Sequence, residues 1–335
     1  MSFPYMRKNS NIEDVAKLAG VSISTVSRVV NKSSTVRASN RICVEQAVKK
    51  LKFKPNLIAK ALVKGKSNTI ALVMPRYEGI FYSYYALEII RGIGTICESL
   101  KIDLLLHITH PNTNLNLSNV GGIIFAEVLS ERKQLEEAVA LNIPTVAINN
   151  LIKDLAVSCV TINNKQGARE AVDYLLDLGH RDIAYISGGN LTQAAKDRTQ
   201  GYKLALAARK IPLRGEFMIE GDYSRKSARD AAEKLLSLKN KPTAIFVASD
   251  DMAQEAISVI LEKGLRVPDD MSIVGFDDNP SSIYGAVPLT TIRQPLMVMA
   301  QTAVKELDLL MNGEGKISRI CLPTKLIIRD SCLPR

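Results

Sequence analysis

Apolar residues recur along this chain in two different rhythms. Over residues 12–51 they come at helical spacing. Ile12, Val15, Ala16 and Ala19 share one face, Val26, Val29 and Val30 form a second stripe, and Ile42, Ala47, Val48 and Leu51 mark a third over residues 39–51. From residue 69 short apolar runs alternate with longer amphipathic stretches. The runs at 69–74, 103–109, 122–126, 145–149 and 159–162, and then at 183–187, 217–220, 244–248 and 272–276, are expected to be buried parallel strands. Stretches such as 170–178 and 230–238 are expected to be helices between them. The pattern therefore predicts an all-α head followed by an α/β body of two doubly wound lobes. In such sheets ligands sit at the carboxyl ends of the strands.

The first two stripes meet around Gly20, in NIEDVAKLAGVSISTVSRVVNKSS (residues 11–34). A glycine there permits the positive φ of a sharp turn. Val21 can plug the corner, and Ser22 is a good N-cap for the second helix. The result is a helix-turn-helix whose second helix is slim enough to enter a major groove about 12 Å wide. Arg28 can bond bidentately to guanine O6 and N7, and Ser22, Thr25, Ser27 and Asn31 can bond phosphates. After Pro55 and Asn56 a short apolar segment, 57–63, is too brief to be a stable helix alone and is expected to form only when packed.

Charge sharpens this picture. Residues 1–66 hold 14 Lys/Arg against 3 Asp/Glu, whereas residues 67–335 hold 30 against 31. All the basicity thus sits in the segment with the helix-turn-helix, as expected of a nucleic-acid-binding head on a neutral body. No apolar run approaches the roughly 18 residues of a membrane span, and the opening MSFPYMRKNS lacks the apolar core of a secretory leader. The five cysteines are scattered and contain no CxxC pair, so neither a disulfide framework nor a zinc site is expected, and a reducing cytoplasm is the simplest location.

The segments IEDVAKLAGVSISTVSRVVN and KFKPNLIAKAL together resemble the lactose/galactose-repressor (LacI/GalR) family. The resemblance implies a DNA-binding domain at 1–55, a hinge helix and linker at 56–67, and a periplasmic-binding-protein-like effector and dimerisation domain at 68–335. It assigns base reading to Ile23, Ser24 and Arg28, and minor-groove insertion to Ala61 and Leu62 of the hinge. It places the N-lobe at about 68–164 plus 294–323 and the C-lobe at about 165–290 plus the last strand. Effector contacts fall by the same resemblance on Phe81, Tyr82, Asn149, Arg198, Tyr223, Ser249 and Asp277. The lactose repressor has Asp where Asn149 stands and Asn where Ser249 stands, so no particular sugar is carried over. Arg37 replaces a capping Ser common before the third helix, and the Asn-rich HPNTNLNLSN at 110–119 is expected to be a loop where the family has a helix.

The implied function is that of a homodimeric repressor, released from a double-stranded operator by a small effector, expected to be a carbohydrate. The alternatives are a regulator whose DNA binding is strengthened by a ligand or partner protein, and a sugar receptor with no DNA role. Catalysis and cofactors are not expected. The pairs Asp250–Asp251 and Asp277–Asp278 are adjacent in sequence, so their side chains should diverge. His180 reads as a turn residue, and Gly188–Gly189–Asn190 lacks the Lys-Ser/Thr of a phosphate-binding loop.

Overall fold

The computed structural model describes residues 12–30, 36–51, 67–76, 80–110, 114–117, 119–128 and 132–335. The chain divides into two compact units, residues 1–67 and 68–335.

In the first unit α1 (Ile12–Ala19), α2 (Ile23–Val30) and α3 (Ala38–Lys50) enclose a small core of Val15, Ala16, Val26, Val29, Val44 and Ala47. Gly20 makes the corner at φ +65, and an added Cβ there would meet nothing within 4 Å, so conformation alone demands glycine there. The Val21 amide closes the turn on the Ala16 carbonyl at 3.1 Å. The third stripe needs correction. Val44, Ala47, Val48 and Leu51 lie at i, i+3, i+4 and i+7 and face the core, while Ile42 falls off that stripe and is 55% exposed. Arg37 is the N-cap of α3 and makes no side-chain capping bond. The hinge segment 57–63, with Ala61 and Leu62, lies outside the described residues, as does Asn31.

The second unit holds two six-stranded sheets among the described residues. The first runs β2 (Asp103–Thr109), β1 (Thr69–Pro75), β3 (Gly122–Ala126), β4 (Thr145–Ile148), β5 (Ser158–Ile162) and β11 (Arg319–Leu322), all parallel. The second runs β7 (Met218–Glu220), β6 (Ile183–Ser187), β8 (Ala244–Val247), β9 (Ser272–Asp277), β10 (Thr290–Arg293) and β12 (Lys325–Ile327), parallel except for the last pair. In the first lobe α4 (Tyr84–Leu100) and α11 (Leu296–Asn312) pack together and α5 (Arg132–Ala140) joins the opposite core. The second lobe carries α6 (Asn164–Asp177), α7 (Gln193–Ala208), α8 (Arg225–Ser237), α9 (Asp250–Glu262) and the short α10 (Ser281–Tyr284). The complete burial of β3, β4 and β8 explains why these strands read as mainly hydrophobic runs.

Two departures from the expected pattern have clear causes, and one expected loop is observed. The run 217–220 begins one residue late, because Phe217 belongs to a 3-10 turn and stacks under the Arg214 guanidinium, 3.9 Å from its ring centroid. Strands β10, β11 and β12 have only three or four residues and include polar side chains, so no apolar run announces them. The described residues between β2 and β3 contain no helix; Leu115, Leu117 and Val120 cover that side of the sheet from a loop.

The chain passes between lobes after β5, after β10 and after β11, and the parallel strands of both sheets end at the cleft between them.

Candidate functional site

Two sites emerge, one in each unit. In the first unit α2 buries Val26 and Val29 and turns its other face to solvent. Ser22, Ile23, Ser24 and Arg28 are exposed, Ile23 by 48%, and Thr25 and Ser27 are half-buried. Ser22 Oγ accepts the Thr25 amide at 3.2 Å and lies 2.9 Å from the Ser24 and Thr25 hydroxyls, so the helix begins in a small hydroxyl cluster. Arg28 makes no ion pair among the described residues, which leaves its guanidinium fork available. Apolar, hydroxyl and guanidinium groups thus share the open face of a narrow helix, a set suited to base edges and phosphates.

The second site is the cleft between the lobes. At its centre is Arg198 of α7, only 3% exposed. Its guanidinium lies over the Phe276 ring, 3.7 Å from the centroid. Nε donates to Asn164 Oδ1 at 2.9 Å and Nη1 to the Ala248 carbonyl at 2.6 Å. Asn164, the first residue of α6, donates through Nδ2 to Asn149 Oδ1 at 3.3 Å, and Asn149 Nδ2 donates to Glu127 Oε2 at 3.0 Å. A hydrogen-bonded line therefore runs from the ends of β3 and β4 in one lobe to Arg198 in the other. A second inter-lobe bond joins the Leu151 amide to Gln193 Oε1 at 2.8 Å.

Asp277, at the end of β9, lies within the field of the Arg198 charge. Protein surrounds its carboxyl although the residue keeps a partly open edge. Burial pushes its pKa up to about 8; the Arg198 charge opposes that rise, Asp250 adds to it, and a hydrogen bond from Gln294 Nε2 opposes it. Tyr84 lies within the field of Asp277, and burial together with neighbouring carboxylates pushes its hydroxyl up to about 12. Burial likewise raises the Tyr223 hydroxyl, with Arg198 opposing and Glu127 and Asp277 contributing. The Tyr223 ring occupies the space a side chain at position 188 would need, 2.1 Å from an ideal Cβ, so only Gly188 admits it.

The remaining carboxylates of this end of the lobe are structural. Asp250 is fully buried and accepts from the Asn279 amide at 2.8 Å, Ser282 Oγ at 2.6 Å and Thr291 Oγ1 at 2.5 Å, fixing the loop after β9. Asp278 accepts from Arg293 Nε at 2.6 Å and Arg329 Nη2 at 2.5 Å. The backbone adds an independent mark. Glu127, Asn149, Tyr223, Asp277 and Asp278 all have positive φ, at 73, 63, 68, 135 and 60 degrees. Non-glycine residues in that region cost about 1–3 kcal/mol each and gather at functional sites.

The expected effector residues thus separate. Asn149, Arg198, Tyr223 and Asp277 come together in the cleft. Ser249 is buried there as the N-cap of α9, accepting the Met252 amide at 3.4 Å. Phe81 and Tyr82 lie on a 3-10 turn, 61% and 88% exposed, with no described contact to the network. Sequence reading missed Glu127, Asn164, Gln294, Phe276 and Tyr84. Glu127 and Asn164 carried a usable signal, since polar residues one or two positions after a strand should lie near a cleft at this edge.

Residues 11–56 match bacterial regulatory proteins of the lacI family, and residues 172–332 match a periplasmic binding protein-like domain. Catabolite control protein A of Priestia megaterium is 36% identical over 96% of this chain and 99% of its own. The lac repressor dimer bound to operator and the anti-inducer ONPF superposes with a TM-score of 0.84, at 30% identity over 97% of this chain and 100% of that one. The transcriptional regulator CelR in complex with cellobiose gives a TM-score of 0.73, at 29% identity over 96% and 99%. No helix among the described residues is long and apolar enough to cross a membrane. The chain belongs to the LacI family, and it is a DNA-binding transcriptional regulator built from a helix-turn-helix head and a two-lobed, periplasmic-binding-protein-like body.

Proposed function

We propose that the protein acts in the cytoplasm as a homodimeric repressor, and that a carbohydrate bound in the cleft releases it from its operator. The observation that carries this reading is the line Glu127–Asn149–Asn164–Arg198, which joins the two lobes through groups that a hydroxylated ligand would compete for. Arg198 offers donors and Asp277 offers acceptors on one side of the gap, and Asn149 lies across it. Ile23, Ser24 and Arg28 read bases; Ser22, Thr25, Ser27 and Asn31 hold phosphates. Ala61 and Leu62 enter the minor groove, where an apolar wedge kinks the duplex. Phe81, Tyr82 and Ser249 stand at the margin of the effector site rather than its centre. The protein's own chemistry is binding, and no catalytic step is assigned to it.

Ligand binding and DNA binding are then coupled through the inter-lobe geometry, and the coupling is reciprocal. The test is an operator titration with and without a panel of carbohydrates, for the parent and for Arg198→Ala. A carbohydrate should weaken operator binding by the parent and leave that of the variant unchanged. Strengthened binding would instead assign the ligand a corepressor role, and an equal response from the variant would place the ligand outside this cleft.

A further inference from the structure

We propose that Gln193 is a latch between the two lobes, and that this latch sets how readily the effector releases the protein from DNA. The proposal rests on the cleft being the effector site. The side-chain carbonyl of Gln193 accepts the Leu151 amide at 2.8 Å. Gln193 is the first residue of α7 in the second lobe, and Leu151 follows β4 in the first. Each end of this bond is held in place by its own lobe. On one side of Leu151, Asn150 Oδ1 accepts the Val128 amide at 2.7 Å; on the other, the Ile152 amide donates to Cys159 Sγ at 3.3 Å. At the far end Thr192 caps α7, its hydroxyl accepting the Ala195 amide at 2.9 Å. A bond between two such fixed points passes the movement of one lobe to the other.

The latch acts together with a second tie. Asn164 Nδ2 reaches Asn149 Oδ1, so one short stretch of the first lobe, 149–151, receives both bonds. In the second lobe the two bonds start from α6 and α7, which pack closely. A Cβ at Gly201 of α7 would collide with the Lys165 carbonyl oxygen and lie 2.8 Å from Ala168 Cβ of α6. Asn164 and Gln193 therefore move as one body, and two attachments between two rigid parts restrain rotation as well as separation. A ligand treats the two ties differently. The Asn149–Asn164 bond belongs to the side-chain line that a hydroxylated ligand competes for. The Gln193 bond engages a backbone amide that its loop keeps in position, so it favours the joined lobes even when that line is taken over.

A bond present in only one of two arrangements shifts their balance by its net worth, about two- to tenfold for a neutral hydrogen bond. A ligand that bridges the lobes selects the joined arrangement, so losing the latch lowers its apparent affinity by up to that factor. In a repressor that its effector releases, the joined arrangement holds the operator less tightly. Losing the latch therefore tightens operator binding in the absence of ligand.

The experiment uses the full chain and two variants. Gln193→Met keeps the length of the side chain and removes the acceptor; Gln193→Glu keeps an acceptor for the Leu151 amide. Affinity is measured without carbohydrate for a duplex selected from a random pool, and by calorimetry for neutral hexoses and disaccharides. Gln193→Met should bind the duplex about two- to tenfold more tightly than the parent and a carbohydrate more weakly by up to the same factor, with Gln193→Glu close to the parent in both. Unchanged duplex affinity in a folded Gln193→Met overturns the latch, whether or not a carbohydrate binds. A carbohydrate bound more tightly by Gln193→Met overturns it too, and an equal change in Gln193→Glu overturns the role of the acceptor. Duplex binding that is weakened in Gln193→Met alone supports the latch and overturns release by the effector, because the joined arrangement is then the one that holds DNA.

Discussion

At the scale of single residues the cleft is governed by how few charges it holds and how each is matched. Asp277 shows the consequence. Burial raises its carboxyl from an ordinary 3.8 to about 8, so the folded protein keeps a proton there that the unfolded chain gives up. The stabilisation this proton provides is complete below about pH 4 and is lost as pH rises through about 8. An Asp277→Asn variant has no such dependence. Its melting temperature should gain on that of the parent between about pH 5 and about pH 8.5; a difference that stays constant or shrinks over that window contradicts the burial argument. Little of this was legible in the sequence. Arg198 and Asp277 could be placed by resemblance, yet their environment depends on Glu127, Asn164 and Phe276, which come from three separate elements and meet only in the fold.

At the scale of elements local rules account for most of the head. The stripe Val15–Ala16 and the turn at Gly20 specify the first corner, and the observed α1 and α2 follow it. The start of α3 is the weak point, because Arg37 supplies no side-chain cap. Arg37→Ser should stabilise the head by about 1 kcal/mol, measured as a shift in its unfolding transition, and no shift would mean the helix start is satisfied by other means. Arg28→Ala should cost about 1–3 kcal/mol of discrimination at one base-pair position. A selected-site profile identical to that of the parent would remove Arg28 from base reading. Element boundaries were readable wherever one rhythm dominated, as in β2, β3 and β6, whose observed limits equal those expected. They were not readable where a tertiary contact decided. Ile42 has the composition of a core residue, but the phase of the stripe formed by Val44, Ala47, Val48 and Leu51 turns it outward. Phe217 has the composition of a strand residue, but its ring is drawn into a turn beneath Arg214.

At the scale of the whole molecule two properties of the sequence carry the account. Net charge is concentrated in the first 66 residues, and two successive β–α series follow in the rest. The first predicts binding that depends strongly on salt, since each phosphate contact releases counterions. The second predicts a cleft at the carboxyl ends of both sheets, and the strained residues Glu127, Asn149, Tyr223 and Asp277 all gather at that edge. What hydrophobic pattern concealed at this scale is how the lobes are tied together, because β10, β11 and β12 are too short and too polar to be read from it; the crossovers were placed only by the family resemblance. The central claim is that a basic helix-turn-helix selects particular duplexes. Selection from a random double-stranded pool at about 0.15 M salt, followed by titration of the enriched duplex against random competitor, tests it most directly. The account predicts one enriched duplex with two symmetric half-sites, bound more tightly than competitor and progressively released as salt is raised. Equal binding of enriched and random duplexes, with or without carbohydrate present, would contradict it.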